Sequence, residues 1–264
     1  MLGKHHLAIS VGIVLPFLIP LLLLNLDLIL PITFLIAVVI GSLTPDADCG
    51  GKATLYYRFP IIDNIMKKFV IKVCYIIFNK QKIKEKMKIT KEINYKHRGI
   101  MHSPIGIFIS SFLLTVIFLI VVLFLESFNP LTAIVIFFGL LTGQFFHLME
   151  DSFTVSGIDW KFPFGEKLIH GTIYTYHKVE DKRDIRPGLF AYSLGLLSLI
   201  IFLYFIFSSN IISLWLLYPI IFACVLLIVG INFFLSKSKG NFLVHANTIR
   251  SMKKIIKSLI PKYS

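Results

Sequence analysis

Long apolar runs separated by charged stretches set the rhythm of this chain. Crossing a ~30 Å hydrocarbon core takes about 20 mostly apolar residues in a helix, and six runs fit that pattern. They extend from Leu7 to Leu24, Ile29 to Leu43, Pro104 to Leu125, Leu131 to Met149, Leu189 to Phe207 and Ile211 to Leu235. The second is the shortest, with Asp27 and Pro31 at its start. The pattern predicts an all-α, polytopic membrane protein with six transmembrane helices. The first run is expected as a retained helix, because its apolar region is too long for a signal peptide and no small-x-small site follows.

Between the runs the periodicity changes. Ile62, Ile65, Met66, Phe69, Val70, Val73, Ile76 and Ile77 recur at helical spacing, with Lys67, Lys68 and Lys72 on the other face. Two readings stand: a helix in the membrane interface drawn to anionic lipid headgroups, or a small core helix packed beneath the neighbouring loops. Residues 80–96 mix Lys and Glu and read as solvated helix or linker. In the tail, Ile249, Met252, Ile256, Leu259 and Ile260 suggest a second interfacial helix ending at Pro261. The chain divides into a four-helix core with two loops over 1–188, two further helices over 189–235 and a basic tail over 236–264.

Charge sharpens this picture. Of 264 residues 56% are hydrophobic and only 16% charged, which excludes a disordered chain and an ordinary soluble enzyme. Yet 27 Lys+Arg against 14 Asp+Glu give a formal charge of +13. Every basic residue falls before the first run, between the second and third, between the fourth and fifth, or after the sixth. The other three connections carry none. By the positive-inside rule, both termini and both long loops face the cytoplasm. Topology therefore accounts for the charge, and no specific nucleic-acid partner is expected. Cys49, Cys74 and Cys224 are far apart and form no CxxC pair, which suits reduced thiols and excludes a cysteine zinc site.

Ionisable residues at membrane spans are costly and mark candidate sites. His5 and His6 open the first span. Asp46 and Asp48 close the second within Thr44-Pro45-Asp46-Ala47-Asp48, and Pro45 disfavours helix at Thr44, placing both carboxylates on a turn. His97-Arg98-Gly99-Ile100-Met101-His102 leads into the third, and His147 and Asp151 end the fourth on one helix face. Four helix ends thus bring His and Asp to the same, cytoplasmic face. Imidazole with carboxylate suits zinc, manganese or iron, of which zinc is the expected ion with manganese as alternative, and carboxylates that bridge two ions activate water for phosphoester cleavage. His5 reads better as a residue near the lipid headgroups. Glu150 is either a proton donor or a solvent-facing neighbour of Asp151.

These residues carry a resemblance. His6-Leu7-x-x-Ser10, Pro45-Asp46-x-Asp48, His97-Arg98-Gly99-x-x-His102-Ser103 and Gly143-x-x-x-His147-Leu148-x-x-Asp151-x-x-Thr154-x-x-Gly157-Ile158-x-Trp160-x-x-Pro163 occur in that order. Together they resemble the YdjM-type family of inner-membrane proteins, regarded as metal-dependent hydrolases and distantly similar to zinc-dependent phospholipases C. The resemblance implies metal ligation by His6, Asp46, Asp48, His97, His102, His147 and Asp151, with one to three ions. Met101 departs from the family's more usual small polar residue, and the stretch from Cys49 to Lys96 is long and basic. The expected function is a membrane-bound hydrolase cleaving a phosphoester, with a membrane lipid among its substrates. Arg98 would anchor the phosphate, and Asp48 and Asp151 are the candidate catalytic carboxylates. The alternative is a non-enzymatic metal-binding or transport protein, against which the span centres carry no charge or histidine. Lipid phosphatases share HxxxD, but their other motifs are missing.

Overall fold

The computed structural model describes residues 3–24, 28–49, 53–79, 99–124, 130–163, 168–174, 184–208 and 213–241. The apolar runs become helices: α1 (Gly3–Leu23), α2 (Ile29–Leu43), α6 (Pro104–Phe124), α7 (Pro130–Ser152), α8 (Arg186–Phe207) and α9 (Leu214–Leu235). Between α2 and α6 lie the short helices α3 (Thr54–Arg58), α4 (Pro60–Ile65) and α5 (Ile71–Asn79). Among the described residues, five helices are long and apolar enough to cross a membrane: α1, α2 with the turn that follows it (Ile29–Asp48), α7, α8 and α9. The sixth apolar helix, α6, has 21 residues.

The helices α2 and α7 form the most extensive contact in the bundle. Lipid tails are as apolar as leucine, so helices associate in a bilayer through close packing at small residues. Gly143 of α7 meets Gly41 of α2 in that way, and Gly139 meets Ala37 and the Phe34 backbone. A Cβ on Gly41 would lie 2.3 Å from the Leu140 carbonyl oxygen, and one on Gly143 would lie 2.3 Å from that of Val38. On the flanks α1 lies against α8, and α6 against α7.

The loop helices pack as a small core. Leu55, Met66, Val70, Cys74 and Phe78 are buried in one cluster with Leu43, Ala47, Ile100 and Met101. The packed-core reading therefore holds for this face. A π-helical turn at Met66–Val70 rotates the stripe, so Phe69 and Ile76, expected on the apolar face, stand 48% and 56% exposed. Lys67 turns back to Asp63 at 2.9 Å. Burial pushes the Cys74 thiol up to about 12.

One element departs from an all-helical expectation. β1 (Ile158–Asp159), β2 (Leu168–His170) and β3 (Lys239–Asn241) form an antiparallel sheet in that order, with Ile158 opposite Ile169 and Ile169 opposite Gly240. It ties the segment after α7 to the segment after α9. Arg186 braces the same region, donating to the Thr172 carbonyl at 2.8 Å, to Asp184 at 2.9 Å and to the Leu235 carbonyl at 3.2 Å. The polar run 80–96 and the tail helix foreseen at 249–260 lie outside the described residues.

Candidate metal centre

Each ligand-type residue is delivered by a helix end. His6 lies in the first turns of α1, with Ser10 on the same face one turn further. At the end of α2, Thr44 keeps helical angles (φ −69°, ψ −33°) despite preceding proline. Its N–H reaches the Ile40 and Gly41 carbonyls, and its hydroxyl donates to Gly41 at 3.0 Å. These bonds outweigh the steric preference that argued against helix there. The carboxylates nevertheless sit on a turn, as expected: the 3-10 turn Pro45–Asp48 folds Asp46 and Asp48 over the end of α2. A second 3-10 turn, Ile100–His102, carries His102 just before α6. His147 and Asp151 come from the last turns of α7.

The side chains converge. His147 Nε2 lies 3.6 Å from Asp46 Oδ1 and 3.9 Å from Asp151 Oδ2. His102 Nε2 lies 3.7 Å and 3.8 Å from the same two oxygens. His6 Nε2 is 3.5 Å from Asp151 Oδ1, and its ring stacks on that of His147 with centroids 3.8 Å apart. Asp46 is 16% exposed at its side chain and Asp48 5%, whereas His6, His102, His147, Glu150 and Asp151 are buried.

The donor chemistry fits a divalent cation. Buried polar atoms almost always find a partner, yet His6 Nε2 and His147 Nε2 are buried with no hydrogen bond among the described residues. The groups His6–Asp46–His147 and His102–His147–Asp151 each bring three potential ligand atoms within 4.8 Å of one another. Zinc–nitrogen and zinc–oxygen bonds of ~2.0–2.2 Å put two ligands of one ion ~3.3–3.6 Å apart at tetrahedral angles, close to the separations seen. Outside the group, His147 Nδ1 sits 2.8 Å from the Ser42 carbonyl oxygen, so it carries the proton and donates, and Nε2 keeps its lone pair for the cluster. On His102, burial favours the neutral ring, but the Asp48 charge and the hydrogen bonds that the ring donates to Asp46 and Asp48 prevail and raise the imidazole to about 9.

Of the residues singled out from sequence, His6, Asp46, Asp48, His102, His147 and Asp151 meet here, whereas His97 and Arg98 lie outside the described residues. Asp48 reaches the group through His102, with Oδ2 3.2 Å from Nδ1. His5 is half-buried and contributes to neither triad. Glu150 is not solvent-facing: it is fully buried, accepts from Ser10 at 3.3 Å and lies 2.9 Å from His6 Nδ1. Its three-residue spacing from His147 was the available signal, since i and i+3 share a helix face.

A helical membrane protein with a buried His/Asp group suited to a metal ion is the class that fold and site define. The chain belongs to the YdjM inner membrane protein family, whose sequence profile matches residues 1–235. No curated protein and no solved structure matches it.

Proposed function

We propose that the protein is a six-span, metal-dependent hydrolase of the inner membrane, with both termini and the site on the cytoplasmic face, acting on a phosphoester at headgroup level. The convergence of three imidazoles with Asp46 and Asp151 at one end of the bundle carries this reading. Five span-length helices and the 21-residue α6 support an even number of crossings, with which all 27 basic residues would share that side. The basic, exposed side of the loop helices, with Lys68 and Lys72 beside Phe69 and Ile76, suits anionic headgroups.

His6, Asp46, His102, His147 and Asp151 would hold the cation. The two triads share His147, whose Nδ1 is committed to Ser42, so both describe a single position filled through one Nε2. When bound there, a divalent cation such as zinc or manganese supplies Lewis acidity and lowers the pKa of water. Asp151, with one oxygen toward His6 and the other toward His102 and His147, is placed to accept a proton from the attacking water. Asp48 holds the His102 ring. Arg98 is the expected phosphate anchor. Substrate approaches past Asp46, the most accessible member.

Purified protein in nanodiscs, assayed with anionic phospholipids and bis-p-nitrophenyl phosphate with and without zinc or manganese, tests this. Metal-dependent product release that disappears in His147→Ala is expected. Equal turnover in His147→Ala and wild type refutes it.

A further inference from the structure

Three imidazoles share one arrangement around the cluster. Each turns Nε2 inward, and each has an oxygen acceptor beyond Nδ1: the Ser42 carbonyl at 2.8 Å for His147, Asp48 Oδ2 at 3.2 Å for His102, and Glu150 Oε2 at 2.9 Å for His6. In metal sites the outer nitrogen of a ligating histidine is normally bonded to a carboxylate or carbonyl, which fixes the tautomer and ring orientation. We propose that Glu150, held by Ser10, is the positioning residue of this centre: it fixes His6 with its proton on Nδ1 and Nε2 toward the cation. This rests on the reading that the site binds a metal.

The placement of Glu150 supports the assignment. It is fully buried at the end of the apolar helix α7, where an ionisable group is costly without a role. Oε1 accepts from the Ser10 hydroxyl at 3.3 Å, which steers Oε2 to His6. Among the described residues, neither His6 Nδ1 nor Glu150 Oε2 has a hydrogen bond from any other group, and their own contact, at 2.9 Å, falls short of hydrogen-bond alignment. Such contacts tighten when a site is filled. Ser10 lies one helical turn from His6, so a single face of α1 supplies both the ring and the group that steers its partner.

Cobalt(II) titration of the metal-stripped full chain in detergent, followed by visible absorption and by zinc competition, separates the possibilities. Glu150→Gln should lower cobalt and zinc affinity ~10–100-fold while keeping the wild-type absorption envelope. Ser10→Ala should shift affinity the same way by less, and His6→Ala should change the envelope itself. Wild-type affinity in Glu150→Gln overturns the proposal. So does an altered envelope in that variant, which would make Glu150 a ligand. Absence of cobalt binding by the wild-type chain would instead remove the metal reading, and this proposal with it.

Discussion

Replacing Gly143 with alanine should damage the metal centre without touching any ligand. A Cβ there would sit 2.3 Å from the Val38 carbonyl oxygen and 2.7 Å from the Ser42 nitrogen, whereas ordinary contact begins at 3.4 Å. To relieve this, α2 and α7 must part locally by about 1 Å, since packed backbone yields only by moving whole helices. The 2.8 Å contact between His147 Nδ1 and the Ser42 carbonyl spans the same interface. Lengthened by that amount it is no longer a hydrogen bond. Leaving its buried donor and acceptor unsatisfied costs about 1–3 kcal/mol, and losing an outer-sphere partner of a ligating histidine costs roughly 10–100-fold in metal affinity. Thermal unfolding in one detergent and cobalt titration read the two effects. Gly195→Ala is the control, because a Cβ there meets nothing within 4 Å. Wild-type stability and affinity in both variants would refute the argument.

The raised His102 imidazole gives a pH signature. Its pKa of about 9 in the metal-free fold exceeds the unfolded value of ~6.5, so its stabilisation of the metal-free protein is complete below pH ~6.5 and fades as pH rises through 9. Metal must displace that proton, so apparent zinc affinity should climb toward pH 9 by up to about tenfold per unit; a flat profile between pH 6 and 8 contradicts this. Arg186→Lys, which keeps charge but loses the fork to Asp184, Thr172 and Leu235, should cost about 1–2 kcal/mol and speed proteolysis next to Thr172 and Asp184. Unaltered proteolysis would count against that brace. Cys74, buried and raised to about 12, should resist maleimide until the protein unfolds, whereas partly exposed Cys49 should react with an impermeant maleimide only in inside-out vesicles. Labelling of Cys49 in intact cells would reverse the proposed topology.

What the sequence made legible, it did through hydropathy. Apolar runs fix where helices end, and helix ends are where His6, Asp46, Asp48, His102, His147 and Asp151 stand, so their meeting followed from alternating spans. Which arc of α7 faces α1 was not written in the runs, because the helix is apolar nearly all round. Glu150 consequently reads from the sequence as either a proton donor or a solvent-facing neighbour of Asp151, although it belongs beside His6. The sheet escaped because its strands have two or three residues, too few for a period-2 pattern to emerge. At Met66–Val70 the π-turn broke the regular spacing on which the stripe through Phe69 and Ile76 depended. Thr44 shows a local rule overruled by its own surroundings: three hydrogen bonds hold it helical before Pro45.

Metal stoichiometry bears most directly on the central claim. Protein purified without chelator, reconstituted with zinc and freed of excess, should carry about one ion per chain by elemental analysis. The Asp46→Ala/His147→Ala double variant, still folded by circular dichroism, should carry almost none. A wild-type chain without zinc, or a double variant that keeps its full complement, would contradict the account.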